Sequence, residues 1–171
     1  MKSTKFTITK PAFDAVVTAP VRNLLKTGIL NSQFVDPNDN DFYDYSSATR
    51  AIFSDLCYGM KVAIDGCASP TMKANRCKTG RWKYIEIYNK NLVIHLRNTE
   101  NKNPLPDYMR EKCKLNYAFR PGKQNYVVIG FEASYGELHS GFDWIVYDVN
   151  GIEVYREKLM DLSMFTTGSV A

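Results

Sequence analysis

Apolar and polar residues repeat along this chain with two different periods. Over 82–97, "WKYIEIYNKNLVIHLR", the repeat is every second residue. That is the period of a strand, whose successive side chains point to opposite faces. A two-residue turn at Lys90-Asn91 would fold the stretch into a hairpin. It pairs Tyr88 with Val93, Ile87 with Ile94 and Glu86 with His95. One face then carries Ile85, Ile87, Leu92, Ile94 and Leu96. The other carries Trp82, Tyr84, Glu86, Tyr88, Val93, His95 and Arg97. A slip of one residue would drive charge into the core, so the pattern specifies the register.

A second hairpin is predicted over 143–159, "DWIVYDVNGIEVYREKL". Asn150-Gly151 suits a type I′ turn, whose two central residues both need positive φ. That turn would set Val149 opposite Ile152, Tyr147 opposite Val154 and Ile145 opposite Arg156. Further strands are predicted at 4–10, at 60–65 ("MKVAID") and at 125–133 ("NYVVIGFEA"), with a loop over 66–80 that has glycine at each end.

Elsewhere the period lengthens to that of a helix. Pro11 can open one turn, and Pro20 interrupts it. Thr18 can cap a second helix with Val21, Leu24 and Leu25 on its apolar face, and Gly28 can end it. In "SSATRAIFSDLCYG", Ser46 or Ser47 can cap, Ile52, Phe53, Leu56 and Cys57 follow at helical spacing, and Gly59 reads as a stop. Pro106 can open a short helix over 106–115, and 162–171 reads as a flexible polar tail. The order of elements predicts a single α+β domain over 1–171. Its sheet is mainly antiparallel and built from hairpins, with mostly N-terminal helices on one face. An all-parallel sheet would need helical crossovers between the later strands, and the sequence lacks them.

Composition limits the class. With 171 residues, 44% of them hydrophobic, one core is sustainable. No apolar run approaches the roughly 18 residues of a membrane span. The lysines near the start precede no apolar signal segment, so the expected compartment is cytoplasmic, with no membrane partner. Asn, Lys and Tyr are abundant. Their A/T-rich codons are compatible with an A/T-rich genome, as in many phages and low-GC bacteria. Cys57, Cys67, Cys77 and Cys113 form no C-x-x-C pair, so reduced thiols and no metal are expected. The acidic loop 36–45 has Asp and Asn at calcium-like spacing. However, the sixth and twelfth ligand positions fall on Asp41 and Ser47, where a calcium loop requires Gly and Glu.

Charge adds one feature. Residues 71–125 hold 13 Lys/Arg and four Asp/Glu, whereas 126–171 hold two and seven. A basic block can meet an anionic partner, or it can answer the acidic strands within the fold. No glycine-rich phosphate loop is present, and no cofactor is expected. Tyr88 stands where a nuclease E-x-K pattern starting at Glu86 would need lysine. His139, in "GELHSG", reads as a solvated loop residue.

The polar face of the first hairpin therefore carries the functional expectations. Arg81, Trp82, Lys83, Tyr84, Tyr88 and Arg97 could stack bases and meet phosphates, which predicts a non-enzymatic binding protein for nucleic acid or another polyanion. Alternatively, Glu86 and His95 could act as an acid–base pair with Arg97 holding an anion, as in a small hydrolase or nuclease. The exposed aromatics would also suit a protein–protein adaptor or inhibitor. The bland alternative is a solvated sheet face with aromatics chosen for strand propensity.

Overall fold

The computed structural model describes residue 14 and residues 18–44, 46–67, 72–79, 82–89, 92–99, 111 and 125–167. Helix α1 (Ala19–Asn31) buries Val21, Leu25 and Ile29, spaced four apart on one face. Helix α2 (Ala48–Asp65) buries Phe53, Leu56, Cys57, Met60 and Ile64. Ser47 caps α2 as expected, its hydroxyl accepting the Arg50 amide at 3.1 Å. Thr18 does not cap α1. Its backbone is already helical, and its hydroxyl donates to the Asp14 carbonyl at 3.0 Å.

Neither predicted glycine stop is one. α1 continues past Gly28 and α2 past Gly59, so 60–65 is the end of a helix and not a strand. The two glycines lie where the helices cross. A Cβ on Gly28 would sit 2.6 Å from the Met60 Cα, and one on Gly59 would sit 2.3 Å from the Gly28 carbonyl oxygen. Glycine is used here for close backbone approach, a role that a local reading cannot separate from helix termination.

Six strands form one sheet. The first three are β1 (Lys73–Thr79), β2 (Trp82–Tyr88) and β3 (Leu92–Asn98), followed by β4 (Asn125–Phe131). A small hairpin, β5 (Ala133–Ser134) with β6 (Glu137–Leu138), precedes β7 (Phe142–Tyr147) and β8 (Glu153–Met160). The order in the large sheet is β1-β2-β3-β4-β7-β8. Neighbours are antiparallel except β3 and β4, which run parallel. A parallel pair needs a connection of a dozen or more residues, and 99–124 has that length. The fold is thus α+β with a mostly antiparallel sheet, though the helices are not all N-terminal. Helix α3 (Leu162–Thr167) stands where a polar tail is expected.

The first hairpin has the predicted register, with Glu86 opposite His95, Ile87 opposite Ile94 and Tyr88 opposite Val93. Asn89 closes it, its amide donating to the Leu92 carbonyl at 3.0 Å. β1 was hidden inside the predicted 66–80 loop. As an edge strand, "KANRCKT" buries only Ala74 among residues 73–78, so it carries almost no hydrophobic alternation.

The second hairpin keeps Ile145 opposite Arg156 but turns differently. Asp148 pairs with Ile152 through its amide at 2.9 Å, and a bulge sets Tyr147 opposite Glu153, not Val154. The Asp148 carboxylate accepts the amides of Asn150 and Ile152, both at 2.9 Å. Gly151 alone takes positive φ, at 73°. The loop is therefore a three-residue turn with glycine in the left-handed position, because Asp148 organises it from its first residue. The predicted strand at 4–10 lies outside the described residues, as does all of the predicted 106–115 helix except Glu111.

α1 and α2 cover the sheet face that carries Ile85, Ile87, Ile94, Val127, Ile129, Trp144 and Val146, all one buried core. The opposite face forms a second cluster of Val93, Tyr126, Val128, Ile145 and Tyr147. The helix crossing fixes the first of these layers. Gly59→Ala is expected to lower unfolding stability by about 1–3 kcal/mol through overpacking against backbone. Urea melts of the two proteins measure this, and an unchanged midpoint would mean that the crossing opens freely.

Candidate functional site

The second sheet face collects most of the polar chemistry expected from the sequence. Strand alternation puts Glu86, His95 and Arg97 on it, and parallel pairing adds Tyr126 from β4. His95 is buried, and both of its ring nitrogens are engaged. Nε2 lies 2.7 Å from Glu86 Oε2, and Nδ1 lies 2.7 Å from the Tyr126 hydroxyl. The rings of Tyr84 and Tyr126 meet the imidazole edge-to-face, at 6.0 and 5.2 Å between centroids. Tyr126 is itself fully buried. A hydrogen-bonded line with its histidine committed on both sides holds strands β2, β3 and β4 together.

Arg97 lies two residues along β3 and is only 7% exposed. Its two terminal nitrogens, Nη1 and Nη2, are buried and have no hydrogen-bond partner among the described residues. The carboxylates nearest in the pattern are used elsewhere. Glu86 holds His95, and Asp143 holds Arg156 at 2.9 Å and Lys158 at 3.0 Å. Opposite Arg97 on β4 stands Gly130. A Cβ there would lie 2.8 Å from Ile145 Cδ1 and 3.1 Å from Thr99 Cγ2.

The remaining expected residues are divided. Tyr84 and Tyr88 are half-buried on this face. Lys83 belongs to the alternate face, opposite Lys78. Its charge helps hold the Asp44 carboxyl below its ordinary value, after the hydrogen bonds from Ser46 and the charge of Arg50. Trp82 pairs with Thr79 at the start of β2, its side chain lying outside the described residues, as does the whole of Arg81. His139 is exposed, with Nε2 2.6 Å from the Ser134 hydroxyl.

The basic block does not pair with the acidic strands in the described ion pairs. Arg156 and Lys158 answer Asp143 and Glu153 within β7 and β8, and Arg22 of α1 answers Glu157. Comparison with protein-family models finds none that matches the chain, and neither the curated proteins nor the solved structures give a match. The site therefore rests on geometry alone. Among the described residues no group of three His, Cys, Asp or Glu could hold a metal, and no helix is long and apolar enough to cross a membrane. The Cys57 thiol is buried in the core, and burial pushes its pKa up.

Two participants escape sequence reasoning. Tyr126 looks like one more apolar residue of a buried strand until β4 is known to lie beside β3. Arg22 looks like the polar side of a helix, yet it is buried with its guanidinium 4.6 Å from the Trp144 ring centroid. Its Nε donates to the Thr18 hydroxyl at 2.7 Å, and Nη1 lies 3.2 Å from Glu157. A hydrogen bond from Tyr155, at 2.5 Å, leads the causes that hold the Glu157 carboxyl below its ordinary range.

If the His95 line is a strut, cutting it costs stability. Tyr126→Phe leaves a buried imidazole nitrogen without its partner and is expected to cost about 1–3 kcal/mol. Denaturant melts of Tyr126→Phe, Glu86→Gln and the double variant give the coupling, and additive losses would show that the line does not act as a unit.

Proposed function

We propose that the protein is a non-enzymatic binding protein that engages an anionic partner, nucleic acid first among them, at the sheet face around Arg97. The observation that carries this reading is a nearly buried guanidinium whose terminal nitrogens lack partners among the described residues. Each buried donor left unsatisfied costs about 1–3 kcal/mol. Both nitrogens are buried, so a phosphate or carboxylate group would satisfy them, in the two-pronged geometry that suits arginine, once the side chains that cover them move aside.

The surrounding charge supports the same reading. Lys73, Arg76 and Lys78 are exposed on edge strand β1, in the segment where basic residues outnumber acidic ones 13 to four. Lysine on an edge strand also discourages sheet-to-sheet aggregation, so these residues alone would not argue for a ligand. Arg97, whose terminal nitrogens have no partner among the described residues, is what favours one. The hydrolase reading of Glu86, His95 and Arg97 has less support, because His95 and Tyr126 are buried and satisfy each other, whereas the Arg97 terminal nitrogens are unsatisfied among the described residues.

The test separates binding from folding. Arg97→Met replaces an unpaired buried charge with apolar volume, so it is expected to leave stability unchanged or raise it by about 1–4 kcal/mol. It should also abolish the stabilisation that phosphate gives the wild type, which amounts to about 2.7 kcal/mol at a hundred times the dissociation constant. Thermal melts in phosphate against chloride at equal ionic strength measure both effects. Anisotropy with labelled single- and double-stranded oligonucleotides at two salt concentrations then tests nucleic acid. Its affinity should fall with salt by a log–log slope of about −0.7 to −0.9 per phosphate contacted. Arg97→Met that is strongly destabilised and equally phosphate-responsive would make Arg97 structural and end this reading.

A further inference from the structure

The β5–β6 hairpin, α2 and α3 border a pocket of about 460 Å³. That volume is within the usual range for a bound group, about 300–1,000 Å³. Ile52, Leu56, Leu138 and Leu162 give it apolar walls, and Asp55 and Glu137 bring carboxylates. No Lys, Arg or His is among its described lining residues. Asp161, next in the chain to the lining residue Leu162, is exposed and adds the same sign of charge.

Exposed apolar side chains adjoin this lining in sequence. Phe34 follows the lining residue Gln33 and is 67% exposed. Met164, two residues beyond Leu162, is 50% exposed, and Tyr135, just before Gly136, is 98% exposed. Single exposed apolar residues are ordinary, so the weight falls on Tyr135, whose neighbour Gly136 lines the pocket.

Tyr135 is unusual in a second way. Its φ is 52° and that of Gly136 is 78°, so the pair makes the two-residue turn with positive φ at both centres. A bulky residue adopts that conformation at a cost, and Asn or Gly would suit the turn better. The hairpin is nevertheless fixed. The Gly136 amide donates to the Thr49 hydroxyl at 3.1 Å, and a Cβ on Gly136 would lie 2.7 Å from the Ala48 Cβ. The Asn98 side chain clips both backbone groups of Ala133, at 2.7 and 3.2 Å. The backbone that carries the exposed Tyr135 ring is thus fixed beside the pocket, with a positive φ at the tyrosine itself. Backbone strain of this kind concentrates at functional sites, and preorganised tyrosine is a common anchor of protein interfaces.

We propose that this pocket and Tyr135 dock a protein segment that carries Lys or Arg next to a large apolar side chain. The apolar side chain enters between Ile52, Leu56, Leu138 and Leu162. The cation meets Glu137 and Asp55, and Tyr135, next in the chain to the lining residue Gly136, packs against the segment. Asp55 already accepts the Asn40 side-chain amide at 3.1 Å, which holds it in place for this contact. The site stands independently of Arg97.

A random peptide display library panned against the full chain supplies the probe, and the enriched peptides are then synthesised with a fluorophore for anisotropy. Enriched sequences are expected to place Lys or Arg within a few residues of Leu, Phe or Trp. Tyr135→Gly relieves the positive φ, so its melting temperature should not fall, while peptide affinity drops at least about tenfold, the scale of an interface anchor. Glu137→Lys should weaken the same peptides. The proposal is overturned if no peptide is enriched, if the enriched peptides are acidic, or if Tyr135→Gly binds them as tightly as the wild type.

Discussion

The parallel pairing of β3 with β4 joins two antiparallel groups of strands that meet nowhere else in the sheet. On one side β1, β2 and β3 follow one another in sequence and space, and on the other β4, β7 and β8 are neighbours. Seven residue pairs, from Leu92 with Asn125 to Asn98 with Phe131, make this central seam. The same seam sets Tyr126 against His95 and Gly130 against Arg97, so it creates the polar line and leaves the cation beside a residue with no side chain. Asn98 and Thr99 extend the seam beyond the strands. They bond to Ala133 and Phe131, which ties the β5–β6 hairpin to the end of β3.

The two buried arginines show what the seam does to charge. Arg22 is surrounded by Thr18, Glu157 and the Trp144 ring, so its desolvation is largely offset by contacts made inside the fold. Arg97 has the same burial and no such set among the described residues. Arg22 leaves one buried nitrogen, Nη2, without a hydrogen-bond partner among the described residues, and Arg97 leaves two, which a fold can hold when many apolar contacts support them. The two arginines thus differ in how much of their desolvation the described contacts offset.

The helix pair has a similar constraint at shorter range. Gly28 and Gly59 let two backbones touch, and that contact fixes where α2 begins and ends against the sheet. Because α2 also anchors Gly136 through Thr49, the position of the exposed Tyr135 follows from it. One end of α2 thus supports the candidate docking pocket, while its middle fills the main core.

What the sequence determined by itself is what neighbouring residues decide. The alternation over 82–97 specified the β2–β3 register, since a one-residue slip would bury Glu86 and Arg97 among Ile87 and Ile94. The Ser47 cap and the Phe53, Leu56 and Cys57 stripe specified the start and inner face of α2. Glu86 and His95 were legible as a pair for the same local reason. Tertiary structure decided the rest. Glycine at 28, 59 and 151 carries one local signature but served two helix contacts and one left-handed turn, and only packing distinguishes them. β1 was invisible because an edge strand with one buried residue among 73–78 has no period to read. The partner of His95, the place of Arg97 beside Gly130 and the alternate side of Lys83 all depend on which strand lies next to which. A parallel neighbour is chosen by the whole sheet, over a sequence separation that no local pattern spans.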